Sequence, residues 1–269
     1  MFTQLLDQQF VHTAMLAAAA AAIACGAIGS FVVSRNASFA VHATSELGFT
    51  GAAAALYLGF APVAGILGGS LLVGLALGLL SLRGRERDSA IGAVLAVGLG
   101  TGVLFLSLYP GYASRAFALL FGSVFSVSNG QLLELVAVAA IVVAAIAATY
   151  RPLIFSSVDP QVAAARGVPV RALSVLTFLL LALTTAEAIQ IVGALLVLSL
   201  VITPAAAAQR LTANPTDAML LGIVIALVSA EGGILLSLAH PWPASFFITA
   251  ISFLIYAGAR VWTGVGDAG

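Results

Sequence analysis

Apolar segments of roughly 18 to 23 residues, each long enough to cross a bilayer as a helix, follow one another along nearly the whole chain. That recurrence leaves no stretch from which a soluble domain could be built. Composition agrees: of 269 residues, 62% are hydrophobic and 7% charged, against about a quarter charged in soluble domains. The expected fold is all-α, a single polytopic helical membrane domain over residues 1–269.

Spans are expected at about 11–34, 39–59, 61–82, 90–109, 131–149, 172–189, 191–208, 217–238 and 244–261, nine in all with eight as the alternative. The 172–208 stretch is too long for one crossing at 1.5 Å per residue. Its polar break, Thr184-Thr185-Ala186-Glu187-Ala188-Ile189-Gln190, is where it is divided. With the N-terminus outside and the C-terminus cytoplasmic, Arg35, Arg83, Arg85, Arg87, Arg151, Arg166, Arg171, Arg210 and Arg260 all fall inside. Arg115 alone falls outside, a strong positive-inside bias. The first ten residues lack a positive n-region, so no cleavable signal peptide is expected.

All ten basic residues are arginine, and lysine is absent. A nucleotide-binding P-loop needs its lysine to reach the terminal phosphates, so any ATP consumed on behalf of this chain must be consumed by another subunit. Zero net charge without basic clusters argues against nucleic-acid binding. The single cysteine, Cys25, lies inside the first apolar run and reads as a small buried residue.

Two loops exceed hairpin length. The outer one, about 110–130, is expected to hold a short surface or re-entrant helix. The inner one, about 151–170, has Ser157 or Asp159 to cap a short helix, Pro160 for its first turn and Gly167 to end it. Composition alone leaves that segment either a docking surface or a plain connector.

Several blocks together carry a family resemblance. They are Gly26-Ala-Ile-Gly-Ser-Phe-Val-Val-Ser-Arg35-Asn-Ala-Ser-Phe39, Asp88-Ser-Ala-Ile-Gly92 and Leu120-Phe-Gly-Ser123. The fourth joins Ala163-Ala-Ala-Arg166-Gly-Val-Pro169 to Val192-Gly-Ala-Leu-Leu-Val197 and Ile202-Thr-Pro-Ala-Ala-Ala-Ala208. In this order and spacing they resemble the metal-importing permeases of the ATP-binding-cassette superfamily, the zinc/manganese class related to the vitamin B12 and iron-siderophore permeases. The resemblance implies a translocation path formed with a second permease, another copy of this chain or a related one, with no cofactor and with zinc or manganese as cargo. It also implies a pair of cytoplasmic ATPase subunits docking on the 151–170 loop, and an extracytoplasmic metal-binding protein. Asp159, Gln161, Arg166 and Gly167 then belong to the coupling helix. The setting is the cell membrane of a prokaryote.

Ionisable groups inside a bilayer are costly, so each is a functional candidate. His42 and Glu46 stand four apart, on one face of a helix and a turn from each other. An imidazole with a carboxylate suits a borderline divalent ion. The family carries an aspartate and a histidine at the matching positions, so the two ligand types are exchanged here. Either the site survives with exchanged ligands, or the two form a hydrogen-bonded structural pair. A second departure is the loop Ser237-Leu-Ala-His240-Pro241-Trp-Pro243-Ala-Ser245, where Pro241 replaces the family's aspartate and Ser245 its glycine. His240 there either receives metal or is an exposed loop histidine. Glu187 is expected in the outer turn between spans six and seven, either exposed at headgroup level or a metal ligand. Glu231 is expected midway along span eight, either paired with a group such as Ser229 or facing the pore. Glu134 and His12 read as interfacial.

Two rivals from other classes are weaker. A secondary transporter would show paired repeats, and no convincing one is seen. An intramembrane enzyme would need a nucleophile–base pair or a metal-hydrolase motif, and neither H-E-x-x-H nor G-x-S-x-G occurs. Import of a metal chelate stays open within the family.

Overall fold

The computed structural model describes residues 8–80, 87–111 and 118–266, with backbone only at 87–90 and 264–266. Arg83, Arg85 and Arg115, part of the arginine argument above, lie outside those residues, as do the first seven positions. The side chains of Arg87 and Asp88 also lie outside.

The described helices are α1 (Gln9–Ser34), α2 (Ser38–Leu58), α3 (Pro62–Leu80), α4 (Arg87–Leu108), α5 (Asn129–Val158) and the short α6 (Pro160–Ala165). They continue with α7 (Val170–Val192), α8 (Val197–Leu211), α9 (Pro215–Ala239) and α10 (Ala244–Gly266), and a 3-10 turn covers Val124–Ser126. No strand occurs among the described residues. Local chemistry sets the ends. Asn36 leaves α1 at φ 52°, a left-handed conformation that asparagine tolerates. Gly59 ends α2 in the left-handed region, and Ser128 with Gln131 makes a capping box on α5. Asn214 caps α9 ahead of Pro215 in its first turn.

Among the described residues, seven helices are long and apolar enough to cross a membrane: α1, α3, α4, α5, α7, α9 and α10. The sequence led to an expectation of about nine. The other two matching segments are α2 and α8. In α2, His42, Thr44, Ser45 and Glu46 dilute the apolar content of a 21-residue helix. α8 has 15 residues, about 22 Å at 1.5 Å per residue, against a hydrocarbon core of about 30 Å.

Two lobes, α2–α3–α4 and α8–α9–α10, meet around a central pair, α1 and α7. α1 packs on α5, α7, α8 and α9, while α7 packs on α1, α2, α3 and α5. Most of the alanines along α1 between Ala14 and Ala27 are buried, and their small side chains let four helices approach one. In the first lobe α2 and α3 touch backbone to backbone. A Cβ at Gly51 would land on the Gly65 carbonyl oxygen, and one at Gly65 on that of Gly51, the small-residue contact that membrane helices use in place of a hydrophobic drive.

The two ends of the bundle are built differently. At one end Arg35 donates from Nε to Ser157 Oγ and from Nη2 to Ser156 Oγ, both at 2.9 Å. Gln209 donates to the Ser30 carbonyl at 2.8 Å, Tyr150 to Thr216 at 2.6 Å, and the Arg210 guanidinium lies 5.8 Å from the Tyr256 ring centre. Arg35, Arg151, Arg166, Arg171, Arg210 and Arg260 therefore share this end. A cleft of about 540 Å³ opens there between Arg35, Ser156, Ser157, Pro160, Val170, Ser174 and Phe178. At the other end Thr13 donates to Asn129 at 3.4 Å and Phe10 meets Phe125 edge to face.

Three expectations are corrected. Helix α7 continues past Thr184–Gln190 and breaks instead at Gly193–Leu196. The polar residues fail to interrupt it because they bond within their own helix: Thr184 donates to the Leu180 carbonyl, Thr185 to that of Ala182 and Gln190 to that of Ala186. Consequently Glu187 is not at an exposed outer turn; it is 1% exposed inside α7. Third, α5 runs on through Val158 despite Pro152, so the 151–170 segment is free of the long helices only over 159–169.

Candidate functional site

On α2 the hydroxyls of Thr44, Ser45 and Thr50 are spent on backbone carbonyls. Thr44 donates to Ala40 and Val41, Ser45 to Ala194 and Thr50 to Glu46 and Gly98. From α3, Ser70 donates to the Thr44 carbonyl. Beside them on the same helix stands the ionisable pair. His42 Nε2 lies 2.9 Å from Glu46 Oε1, with side chains 32% and 9% exposed. The other imidazole nitrogen, Nδ1, is buried and has no hydrogen-bond partner. A buried polar atom without a partner is uncommon in native structures and calls for an explanation. With the ring proton on Nε2 toward Glu46, Nδ1 keeps a lone pair, and the pair presents imidazole nitrogen and carboxylate oxygen on one helix face, donor types that suit a divalent transition metal. The pair offers two groups of metal-binding type. No group of three or more His, Cys, Asp or Glu occurs among the described residues, so these side chains of one chain do not close a coordination shell.

The remaining candidates do not converge on this pair. Glu187 lies on α7 with neither oxygen hydrogen-bonded. Glu231 is half-buried on α9, and its Oε2 is also without a partner. Ser229, the partner the sequence offered it, donates instead to the Ile225 carbonyl. His240 caps the end of α9, exposed, with its ring 6.1 Å from that of Trp242 and 6.2 Å from that of Phe247. It belongs to an aromatic cluster with Trp242, Phe246 and Phe247. Glu134 and His12 are exposed, and Cys25 is a buried free thiol.

At the arginine end, α6 projects from the bundle. Of the two caps the sequence offered, Asp159 takes the role. Its Oδ1 accepts from the Gln161 and Val162 amides at 3.0 and 2.9 Å, and Pro160 occupies the first turn. Arg166 follows the last turn, and Gly167 leaves it at φ 80° with open space around its Cα. Ala163 is buried and holds α6 to the bundle, whereas Gln161, Ala164, Ala165 and Arg166 are exposed. Val158 and Val162, 74% and 45% exposed, add an apolar face to this tip. An exposed helical tip with mixed apolar and polar side chains has the makeup of a contact surface.

The pattern of the ABC 3 transport family matches residues 7–262. The chain belongs to that family. Among its relatives, the manganese transport system membrane protein MntC of Halalkalibacterium halodurans is 31% identical over 257 residues, covering 95% of this chain and 88% of that protein. The manganese import system permease protein ScaB of Streptococcus parasanguinis is 31% identical over 226 residues, covering 82% of this chain and 80% of that one. In fold the chain is similar to a chain of PsaBC from Streptococcus pneumoniae, solved in complex with Fab. The TM-score is 0.86 at 24% identity, with 96% of this chain and 94% of that chain covered. This chain is a membrane permease of the ABC 3 family.

Two of the ABC 3 blocks meet in space. The Leu120-Phe-Gly122 block lies against the α7–α8 break. The Ala194 amide donates to the Leu119 carbonyl at 3.1 Å and the Leu195 amide to that of Leu120 at 3.3 Å, while the Ser123 amide donates to Gln190 at 3.3 Å. Gly122 and Gly193 face each other at φ 76° and 82°, and a Cβ on either would strike the other segment's backbone. Non-helical backbone within a helical bundle is tolerated when protein covers it. Ser45 seals the junction from the pair's own helix by donating to the Ala194 carbonyl at 2.5 Å. Sequence reasoning missed Ser45 and this pairing. The two glycine-bearing blocks were visible, but their contact joins segments some seventy residues apart.

Proposed function

We propose that this permease is the membrane-spanning subunit of an ATP-driven importer for a divalent transition metal, manganese or zinc. The observation that carries the reading is the His42–Glu46 pair with its unpartnered imidazole nitrogen. It is supported by relatives whose names assign them manganese transport. A second copy of the permease completes the coordination shell across the translocation path. Two ligands per copy hold the ion loosely enough to release it, unlike a closed structural site. The arginine end faces the cytoplasm of a prokaryotic cell, as the positive-inside rule requires, with the N-terminus outside and the C-terminus inside. The two ATPase subunits dock on Asp159–Gly167, and a metal-binding protein delivers cargo at the opposite end, where the His240–Trp242 cluster is exposed. Glu231 and Glu187 are lesser candidates along the same path.

Uptake of manganese and of zinc into vesicles holding the whole complex tests this. His42→Ala and Glu46→Ala are each expected to reduce uptake by ten-fold or more, on the order of one lost charged contact. Unaltered uptake in both variants sinks the site. Uptake of a metal chelate with unchanged rates in both would favour a chelate as cargo. For docking, Arg166→Glu and Gly167→Pro are expected to reduce ATPase co-purification and metal-coupled hydrolysis; no change in either measure removes the coupling helix from the scheme.

A further inference from the structure

Arg35 sits where two separate pieces of chain meet. Seven residues after it comes His42, reached through the tight corner at Asn36 (φ 52°). Its guanidinium forks onto Ser156 and Ser157, 2.9 Å from each hydroxyl oxygen. Those serines close α5, and Asp159, the cap of α6, is two residues beyond Ser157. Both hydroxyls are oriented for this contact. Each donates its proton to the Leu153 carbonyl, at 3.1 Å from Ser156 and 2.7 Å from Ser157, which turns their lone pairs toward Arg35. Ser156 is 2% exposed, so the fork works partly out of water, where a charged hydrogen bond is stronger. A planar fork engaging two acceptors also fixes direction as well as distance.

We propose that Arg35 is a positioning residue through which displacement of the docked α6 tip is passed to the α2 pair, a role that rests on the importer reading above. The alternatives are poorly placed for it. α6 packs mainly on α5 and only lightly on α7, and neither carries a metal-binding side chain next to His42. The polar cleft between Arg35, Pro160, Val170 and Ser174 leaves space beside the fork, so the α5 terminus can shift against α7 while Arg35 keeps hold of it. On the far side of α1, Gln209 donates to the Ser30 carbonyl and to Ser34 Oγ, at 2.8 and 3.1 Å. The last turn of α1 is thus held from both flanks and moves with its neighbours. A ligand pair one turn into α2 moves with it.

The test uses the assembled complex in vesicles, with manganese as the probe, and compares wild type with Arg35→Gln, Arg35→Lys and Ser156→Ala/Ser157→Ala. Ions imported per ATP hydrolysed are expected to fall about ten-fold in Arg35→Gln and in the double serine variant, the scale of losing a hydrogen bond to a charged group. Arg35→Lys recovers part of the ratio, because an ammonium reaches one hydroxyl but cannot fork to two. ATPase co-purification and basal hydrolysis stay within about two-fold, since the docking tip is untouched. An unchanged ratio in a normally assembled complex overturns the proposal. So does a parallel fall of co-purification, hydrolysis, uptake and melting temperature, which is what a plain structural strut would give. If Arg35→Gln does not fold, the serine variant, which leaves the arginine in place, decides the matter. A wild-type complex that neither recruits an ATPase nor carries metal overturns the importer reading first and this one with it.

Discussion

The two ends of the bundle solve the same problem with different materials. Where α7 breaks, closure is made by main chain: amides of Ala194, Leu195 and Ser123 bond across segments, and two left-handed glycines let the backbones touch. At the arginine end closure is made by side chains, Arg35 on two serines, Gln209 on Ser30 and Tyr150 on Thr216, around an open cleft. Backbone pairing leaves no slack, because the groups that bond are the groups that define the fold. Side-chain ties can be broken and remade without unfolding anything. The difference teaches which end is built to stay fixed and which can yield.

Gly193→Val tests the rigid end hardest. A β-branched residue at φ 82° whose Cβ strikes the 120–122 backbone is expected to cost more than about 4 kcal/mol. The readout is the yield of monodisperse protein and its melting temperature in detergent; wild-type melting would break the comparison. Ser45→Ala comes next. It strips a donor from the Ala194 carbonyl, and about 1–3 kcal/mol follows from an unsatisfied buried acceptor, seen as a lower melting temperature with α2 still helical. Smallest is Asp159→Ala at the other end. Loss of that cap costs α6 about 1 kcal/mol locally. Faster amide exchange at 161–166 is expected, with melting of the whole chain unchanged, because a projecting tip opens independently of the core. A global destabilisation there equal to that of Ser45→Ala would erase the distinction between the ends.

Much of this was legible in the chain because helix boundaries are local chemistry. Asp159-Pro160, Gly167 and the His42–Glu46 spacing each state their geometry within a few residues, and the structure agrees with them. The position of the α7 break was misread for an equally physical reason. Thr184, Thr185 and Gln190 look like a polar turn, yet a hydroxyl or amide that bonds its own helix costs that helix little, whereas Gly193 looks unremarkable until a second backbone arrives. Glu187 was misplaced as a consequence. Arg35 reads in the sequence as a charge and as part of a family block; its acceptors are more than 120 residues away, beyond any spacing argument.

The weak apolarity of α2 has a consequence for how the chain is made. A segment carrying His42, Thr44, Ser45 and Glu46 partitions poorly from an insertion channel into lipid when it is presented alone. Its neighbour α3 is apolar apart from Ser70 and meets it backbone to backbone at Gly51 and Gly65. A helix of that make-up is expected to enter the membrane as half of a hairpin with α3, the Gly51–Gly65 contact pairing the two as they insert.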